Sequence, residues 1–270
     1  MINSNMHTHT TFSDGKNAPE EMVLTALEKG FSTLGFSDHS YTPFDLSYCM
    51  MKEAYPAYKA EIGRLKEQYK DKIELYCGTE FDYYSPAELK EGFDYYLAGV
   101  HYVRAGGVYY SVDHCVEATM KGINEGCGGE ENEYVRRYYE NLVGCAALRP
   151  LYLAHFDLLT KFGVIDEESA FYRQTALEAL DAVLDAGIPV EINTGAMARQ
   201  VKAVPYPAKY LLERIAERNG CVILGSDCHN MALLDYAFDS SLALAKDAGV
   251  KNVLVFRGGR LAEVEESDGR

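Results

Sequence analysis

The feature that most constrains the fold is an alternation of short apolar runs with amphipathic helical segments along the chain. Runs typical of β-strands recur at residues 33–39, 73–81, 94–101, 151–155, 189–193, 221–227 and 252–257. The segments between them carry apolar residues at helical spacing, as in residues 169–186, where Gly187 ends the helix. This alternation favours parallel strands joined by crossover helices. The sequence therefore predicts an α/β fold.

The domain organisation predicted from the sequence is a single domain over residues 1–270. This length accommodates one α/β barrel. The sequence has no Pro-, Gly- or Ser-rich linker, internal repeat or low-complexity segment. Residues 113–124 and 131–147 read as two helices of an elaborated crossover, and the acidic tail beyond residue 257 is expected to fray.

Composition narrows the possible partners. Hydrophobic residues make up 47%, so the chain can bury a sizeable core. Its 41 acidic and 26 basic residues give a net charge of -15, which argues against a nucleic-acid partner. Neither a bilayer-spanning window nor a secretory pattern is visible, and no Cys-x-x-Cys pair occurs. The sequence therefore predicts a cytoplasmic protein with reduced thiols and no membrane partner; it assigns no oligomeric state.

Histidines lie where strands are predicted to end. Six of the 7 histidines occupy or directly follow such ends, namely His7, His9, His39, His101, His155 and His229. Glu80 and Asp227 lie at strand ends too. Since the carboxyl ends of parallel strands converge on one rim of a barrel, these side chains are expected to meet and to bind metal. His114, at a predicted helix start, is interpreted as non-ligating.

Local spacing strengthens the metal hypothesis. In an extended strand, His7 and His9 point to the same side, as do Asp227 and His229. Cys228 must then point the other way, so it is expected to be buried and not a ligand. Nitrogen and oxygen ligands without thiolate favour zinc, manganese or iron.

These motifs together resemble one known superfamily, and they run in order along most of the chain. They are His7-Thr8-His9, Phe12-Ser13-Asp14-Gly15, Ser37-Asp38-His39, Gly78-Thr79-Glu80, Gly99-Val100-His101, Ala154-His155 and Gly225-Ser226-Asp227-Cys228-His229. The chain is thereby similar to the polymerase and histidinol phosphatase (PHP) superfamily. The stretches His155-Phe156-Asp157-Leu158 and Glu191-Ile192-Asn193-Thr194-Gly195 are most similar to its stand-alone histidinol-phosphate phosphatases.

The resemblance implies a distorted seven-stranded, TIM-like (β/α) barrel with three metal ions on its rim. The residues it implies for the first ion are His7, His9, Glu80 and Asp227. Glu80 would bridge to a second ion that is also held by His101 and His155. The third ion would be held by Asp14, His39 and His229.

The resemblance also implies a reaction, hydrolysis of a small phosphate monoester such as histidinol phosphate, a step of histidine biosynthesis. A hydroxide bridging two ions would be the nucleophile. Three divalent ions outweigh three carboxylates, so the cluster would attract a phosphate dianion despite the acidic composition. Glu80, Asp227 and Arg199 are predicted to be catalytic, and Asp227 or a neighbouring imidazole would protonate the leaving alkoxide.

Substrate contacts are predicted outside the metal ligands. Arg199 and Lys161 are candidates for binding phosphoryl oxygens, the alternative being that they are solvated loop charges. Histidinol phosphate also carries an amine and an imidazole, for which acidic and aromatic groups are suited. The loops after strands two and three offer such groups at Tyr41, Phe44, Asp45, Tyr48, Asp82, Tyr83 and Tyr84. Of these, Asp45 and Tyr83 are the predicted substrate contacts.

Two other functions remain open at this point. One is a phosphodiesterase, exonuclease or nucleotide phosphatase of the same superfamily, against which the acidic composition and the lack of a basic, aromatic-lined groove argue. The other is a non-catalytic metal-binding protein. A bridging carboxylate at an open rim favours catalysis over storage.

Overall fold

The structure is a computed structural model that describes residues 2–264. Its strands are β1 Ser4–Asn5, β2 Thr33–Phe36, β3 Glu74–Asp82, β4 Tyr95–Gly99, β5 Tyr102–Ala105, β6 Val108–Ser111, β7 Val190–Asn193, β8 Cys221–Gly225, β9 Asn252–Arg257 and β10 Arg260–Glu263. Its α-helices are α1 Pro19–Glu28, α2 Tyr55–Tyr69, α3 Val116–Lys121, α4 Glu131–Ala147, α5 Ala170–Asp185, α6 Gly195–Ala198, α7 Lys209–Glu217 and α8 Phe238–Asp247. Among the described residues, none of these helices is long and apolar enough to cross a membrane.

Eight of the described strands form two four-stranded sheets, one in the order β1-β2-β3-β4 and the other in the order β10-β9-β8-β7. The first sheet is entirely parallel, and in the second only β10 is antiparallel to its neighbour. The predicted α/β class is therefore confirmed. β5 and β6 form a separate hairpin.

Single bridges connect the two sheets. Leu153 pairs in parallel with Ala98 of β4 and with Val190 of β7. The predicted strand 151–155 is reduced to this bridge: residues 151 and 152 lie in a bend, and at His155 a φ of 27° takes the backbone out of the extended conformation. Thr8 and Cys228 form another parallel bridge between the ends of β1 and β8. A continuous seven-stranded barrel is not confirmed.

Several predicted elements have other ends in the structure; the strands predicted at 33–39, 94–101 and 221–227, for example, are Thr33–Phe36, Tyr95–Gly99 and Cys221–Gly225. Helix α3 begins later than residue 113 because the Ser111 hydroxyl accepts hydrogen bonds from the backbone N–H groups of Asp113 and His114, which forms a turn first. The prediction of fraying beyond residue 257 is wrong for residues 260–263, which form β10 and pair with β9. The rest of the predicted acidic tail, residues 265–270, lies outside the described residues.

A small apolar cluster lies between the two sheets. It consists of Met6, Tyr95, Leu97, Tyr152, Ile223, Leu254 and Phe256. The Tyr95 hydroxyl donates to the backbone oxygens of Met6 and Phe36, which ties β4 to the ends of β1 and β2. Packing and hydrogen bonds thus hold in place the strands whose ends bear the predicted ligands.

Candidate metal centre

The structure brings all nine side chains predicted as metal ligands to the same end of the sheets. Each lies within 4 Å of at least one of the others, as imidazole–carboxylate pairs among His7, His9, Asp14, His39, Glu80, His101, His155, Asp227 and His229. Parallel strands are the reason for this convergence, because their carboxyl ends meet at one edge.

Glu80 is the centre of the cluster and is fully buried. Its carboxylate oxygens lie within 3.5 Å of five imidazole nitrogens, those of His7, His9, His39, His101 and His155. The two oxygens face different sets: Oε1 lies 2.7 Å from His155 Nε2, and Oε2 lies 2.9 Å from His39 Nδ1. This is the arrangement that a bridging carboxylate needs.

The carboxylates at the centre are held in their anionic form. Burial alone would raise the pKa of Glu80, but the surrounding imidazoles, His7 first, hold this pKa well below its usual range. Burial would likewise raise the pKa of Asp227, and Arg199 followed by His7 keeps it well below the usual value. Anionic oxygens beside imidazole nitrogens are a suitable ligand set for zinc, manganese or iron.

Several buried polar atoms at the centre make no hydrogen bond to the described residues. They are His7 Nε2, both ring nitrogens of His9, Glu80 Oε2 and His155 Nδ1. Buried polar atoms are nearly always hydrogen-bonded, so a cluster of exceptions points to a missing partner. Metal ions coordinated by these nitrogens and oxygens would satisfy the unpartnered atoms that face the cluster. The residues present therefore fit bound metal.

Four groups of ligand atoms lie close enough together to hold an ion. They are His9–Asp14–His39–His229, His7–His9–Asp227, His7–Glu80–His155 and His39–Glu80–His101. The first of these groups contains the three ligands predicted for the third ion, Asp14, His39 and His229, with His9 in addition. The prediction placed His101 and His155 on one ion with Glu80, whereas the structure groups His155 with His7 and His101 with His39. The reason is that His7 and His39 both face the Glu80 carboxylate.

Two of these side chains are on strained backbone. His155 has a φ of 27° and Asp227 has a φ of 49°, values that only a few per cent of non-glycine residues adopt. Such strain persists only where the surroundings hold it in place, and it is concentrated at functional sites. In this conformation both side chains face the cluster: His155 Nε2 lies 2.7 Å from Glu80 Oε1, and Asp227 Oδ1 lies 3.1 Å from His9 Nε2.

A cavity of about 580 Å³ opens over the centre. Its walls include the ligand candidates Asp14, His39, His101, His155, Asp227 and His229. Arg199 and Lys161, the two predicted phosphate contacts, also line the cavity. Arg199 Nη2 lies 2.8 Å from Asp227 Oδ2, and Lys161 Nζ lies 3.1 Å from Asp113 Oδ2. Both cations are therefore at the cavity and not in solvated loops.

The two remaining predicted substrate contacts differ in their placement. Asp45 lines the cavity, where its carboxylate accepts hydrogen bonds from Tyr102 Oη and from the backbone N–H of Ser47. Tyr83 packs instead against Gly144 of α4, where a Cβ atom would overlap its ring, and it is not part of the cavity wall. The structure therefore does not support Tyr83 as a substrate contact.

Sequence reasoning missed several cavity residues. His114, interpreted as non-ligating, is in none of the ligand groups found among the described residues, but it lines the cavity together with Asp113 and Tyr102. Burial would raise the pKa of Asp113, but Lys161 lowers it to about 2, so the pair is ionic. These residues lie on or just after the β5–β6 hairpin. The prediction used residues at the carboxyl ends of parallel strands, and the antiparallel β5–β6 hairpin is not part of that pattern. Its position beside the cavity is therefore visible only in the folded structure.

Comparisons with known proteins agree with this site. Residues 5–195 match the model of the PHP domain. A Deinococcus radiodurans protein named "Probable histidinol-phosphatase" is 30% identical over 259 residues, covering 92% of this chain and 94% of that protein. The Bacillus subtilis protein named "Histidinol-phosphatase" is 25% identical over 260 residues, covering 87% and 97%. The chain therefore belongs to the PHP domain family.

A solved structure shows the same fold. It is the histidinol phosphate phosphatase of Lactococcus lactis, in complex with zinc, L-histidinol and phosphate; it superposes with a TM-score of 0.74 at 22% identity, covering 97% of this chain and 100% of that one. Within the PHP domain family, the chain is a metal-dependent phosphoric monoester hydrolase of the histidinol-phosphatase group.

Proposed function

We propose that this protein hydrolyses histidinol phosphate to histidinol and phosphate at a centre of three metal ions. The observation that carries the proposal is the position of Glu80, whose carboxylate faces five imidazoles beside a cavity that also presents Arg199 and Lys161. The names of the related proteins and the ligands of the Lactococcus structure support the choice of substrate.

The ligand assignment follows the predicted sets. His7, His9, Glu80 and Asp227 would hold the first ion, Glu80, His101 and His155 the second, and Asp14, His39 and His229 the third; the groups of neighbouring ligand atoms in the structure contain these same residues but divide those around Glu80 differently. Each ion then has three or four protein ligands and room for water or substrate. When bound, zinc, manganese or iron ions supply a Lewis acid that activates water and neutralises phosphoryl charge.

The chain's own cations hold the phosphoryl group. Arg199 and Lys161 line the cavity from two different segments, so they can contact non-bridging oxygens from two sides. Each is oriented in advance by a carboxylate, Asp227 and Asp113 respectively, and needs no reorganisation when substrate arrives. The proton for the leaving alkoxide comes from a neighbouring imidazole and not from Asp227, because Arg199 and His7 hold the pKa of Asp227 well below its usual value and its carboxylate is anionic.

The organic part of the substrate occupies the end of the cavity near Asp45. Burial would raise the pKa of Asp45, but hydrogen bonds from Ser47 and Tyr102 lower it, so the carboxylate is anionic. An anion there can pair with the ammonium group of histidinol phosphate. The rings of Tyr48 and Tyr102 line the same part of the cavity and offer faces for the imidazole.

Turnover of metal-replete protein on a panel of substrates tests the proposal. The panel comprises histidinol phosphate, a sugar phosphate, a nucleoside monophosphate and an aryl phosphodiester, with metal content measured on the same sample. We expect histidinol phosphate to have the highest kcat/KM. Faster hydrolysis of the diester or of the nucleotide would indicate another activity of the family, and metal binding without turnover of any substrate would indicate a binding protein.

A further inference from the structure

Glu191 is a buried carboxylate that belongs to none of the ligand groups, yet it touches two of the ligands. It lies on β7 and is fully buried. Its Oε1 lies 2.7 Å from Nδ1 of His7. Its Oε2 accepts hydrogen bonds from the backbone N–H of His155 at 3.0 Å and from Nδ2 of Asn193 at 2.8 Å. The Glu191 side chain thus connects His7, which follows β1, with His155, which follows the bridge at Leu153.

The hydrogen bond to Glu191 assigns the tautomer of His7. A carboxylate only accepts hydrogen bonds, so Nδ1 of His7 must carry the proton. In the neutral ring that binds metal, the lone pair is then on Nε2, which lies 3.2 Å from Glu80 Oε2 and makes no hydrogen bond to the described residues. The nitrogen that faces the centre is therefore the one free to bind metal.

Glu191 accepts more hydrogen bonds than a glutamine could accept at the same position. Three donors converge on its two oxygens, from His7, His155 and Asn193. The donor role of Asn193 Nδ2 is set because its Oδ1 accepts from the backbone N–H of Gly195. A glutamine has only one acceptor oxygen, so its amide nitrogen would have to face at least one donor. If it faced His7, the proton of that ring would have to move to Nε2 and block the metal-binding position.

The neighbouring strand leaves space for this carboxylate. Gly225 of β8 lies beside β7, and a Cβ atom there would overlap Glu191 Oε1 and lie 3.1 Å from Cβ of His7. A side chain at position 225 would displace the carboxylate from His7. The glycine in the motif Gly225-Ser226-Asp227 is thus explained by the room that Glu191 requires.

Glu191 also supports strained backbone. The N–H group that it accepts belongs to His155, whose φ of 27° is unfavourable for a residue with a side chain. The same orientation brings His155 Nε2 to 2.7 Å from Glu80 Oε1. Loss of this acceptor would leave a buried N–H unpaired and remove a restraint on that conformation.

We propose that Glu191 is a positioning residue that fixes the metal-binding tautomer of His7 and the strained backbone of His155, and so sets the affinity of the centre for metal. The proposal rests on the proposed metal centre. It does not depend on which phosphate ester is hydrolysed, because its test measures metal binding without substrate.

The test titrates zinc into chelator-treated protein in the presence of a competing chelator, for wild type, Glu191→Gln and a matched control. We expect Glu191→Gln to weaken zinc binding by about 10- to 100-fold, the effect typical of losing a partner behind a ligating histidine. The control is Asp157→Asn, another fully buried acid, whose carboxylate accepts from the backbone N–H of Ala208 and from no ligand side chain. It should bind zinc with wild-type affinity.

A second measurement separates positioning from folding. At a pH high enough to keep His7 neutral in the metal-free protein, nitrogen-15 NMR should show its proton on Nδ1 in wild type, and in Glu191→Gln this population should shift toward Nε2. Wild-type zinc affinity or an unchanged tautomer in folded Glu191→Gln would overturn the proposal. If that variant does not fold, Glu191→Asp is used, in which the shorter carboxylate should also weaken zinc binding. Failure of both variants to fold would make Glu191 an architectural residue and overturn its assignment.

Discussion

The guanidinium of Arg199 lies against the carboxylate of Asp227, with Nη2 2.8 Å from Oδ2. Arg199 follows the short helix α6, which begins soon after β7, whereas Asp227 follows β8. The register between these two parallel strands therefore brings a cation to the edge of the metal centre. There it can lower the pKa of Asp227 and, at the same time, reach a phosphoryl group in the cavity.

Arg199→Ala tests this position. We expect kcat/KM for histidinol phosphate to fall about a hundredfold, since one preorganised donor contributes on the order of 2 to 4 kcal/mol to transition-state stabilisation. Metal content should stay at the wild-type level. The control substrate is an aryl phosphodiester, whose monoanionic group makes less use of the guanidinium. Equal, small losses on both substrates would make Arg199 a surface charge.

Glu80→Gln tests the bridge. The variant keeps the size of the side chain but has one neutral oxygen and one amide nitrogen, so it cannot hold an ion on each side. We expect at least two ions per chain to be lost, and turnover with them, as measured by elemental analysis and a phosphate-release assay. Near-wild-type activity of the purified variant would show that Glu80 does not bridge.

Asp45→Asn tests recognition of the organic part of the substrate. Removing the anion should raise KM for histidinol phosphate by about tenfold, the size of one charge-assisted hydrogen bond, with a smaller effect on kcat. Phenyl phosphate, which lacks an ammonium group, serves as the control substrate, and its KM should be unchanged. A matching rise in KM for both substrates would contradict a role in ammonium binding.

Gly99→Ala tests how closely the centre is packed. A Cβ at position 99 would lie 2.9 Å from His155 Cε1 and 3.1 Å from Glu80 Oε1, so the added methyl should displace both ligands and weaken metal binding. The matched control is Gly63→Ala in the exposed middle of α2, where nothing lies within 4 Å. It should raise the free energy of unfolding by about 0.5 to 1 kcal/mol. Unaltered metal affinity in Gly99→Ala would contradict the packing argument.

Cys228→Ser tests the prediction that this thiol is not a ligand. Cys228 is buried, its backbone bridges to Thr8, and burial raises its pKa to about 12, which keeps it a thiol at neutral pH. Its sulfur is absent from the ligand groups found among the described residues. Metal stoichiometry should therefore be unchanged in the serine variant. Loss of an ion from a folded variant would show that the sulfur is a ligand.

Local patterns in the sequence were enough to predict many of the helices and strands and the ligand candidates at strand ends, whereas Asp14 was named only through the family resemblance. Strand β9 and helix α4 have the predicted bounds, 252–257 and 131–147, because a short apolar run and helical spacing are both properties of neighbouring residues. The same holds for His7 and His9, which face one side because side chains of an extended segment repeat every two residues. Parallel strands then made it possible to predict that side chains at their ends meet.

The tertiary structure decided which side chains lie close enough to hold the same metal ion, which residues line the cavity and which residues support the metal centre. Asp113 and His114 border the cavity only because the β5–β6 hairpin folds beside it, and Tyr83 is excluded only because α4 packs over it. Glu191 reaches His7 across 184 residues of sequence. Such contacts depend on how separate elements pack against one another, and the spacing of residues within a single element contains no information about that packing.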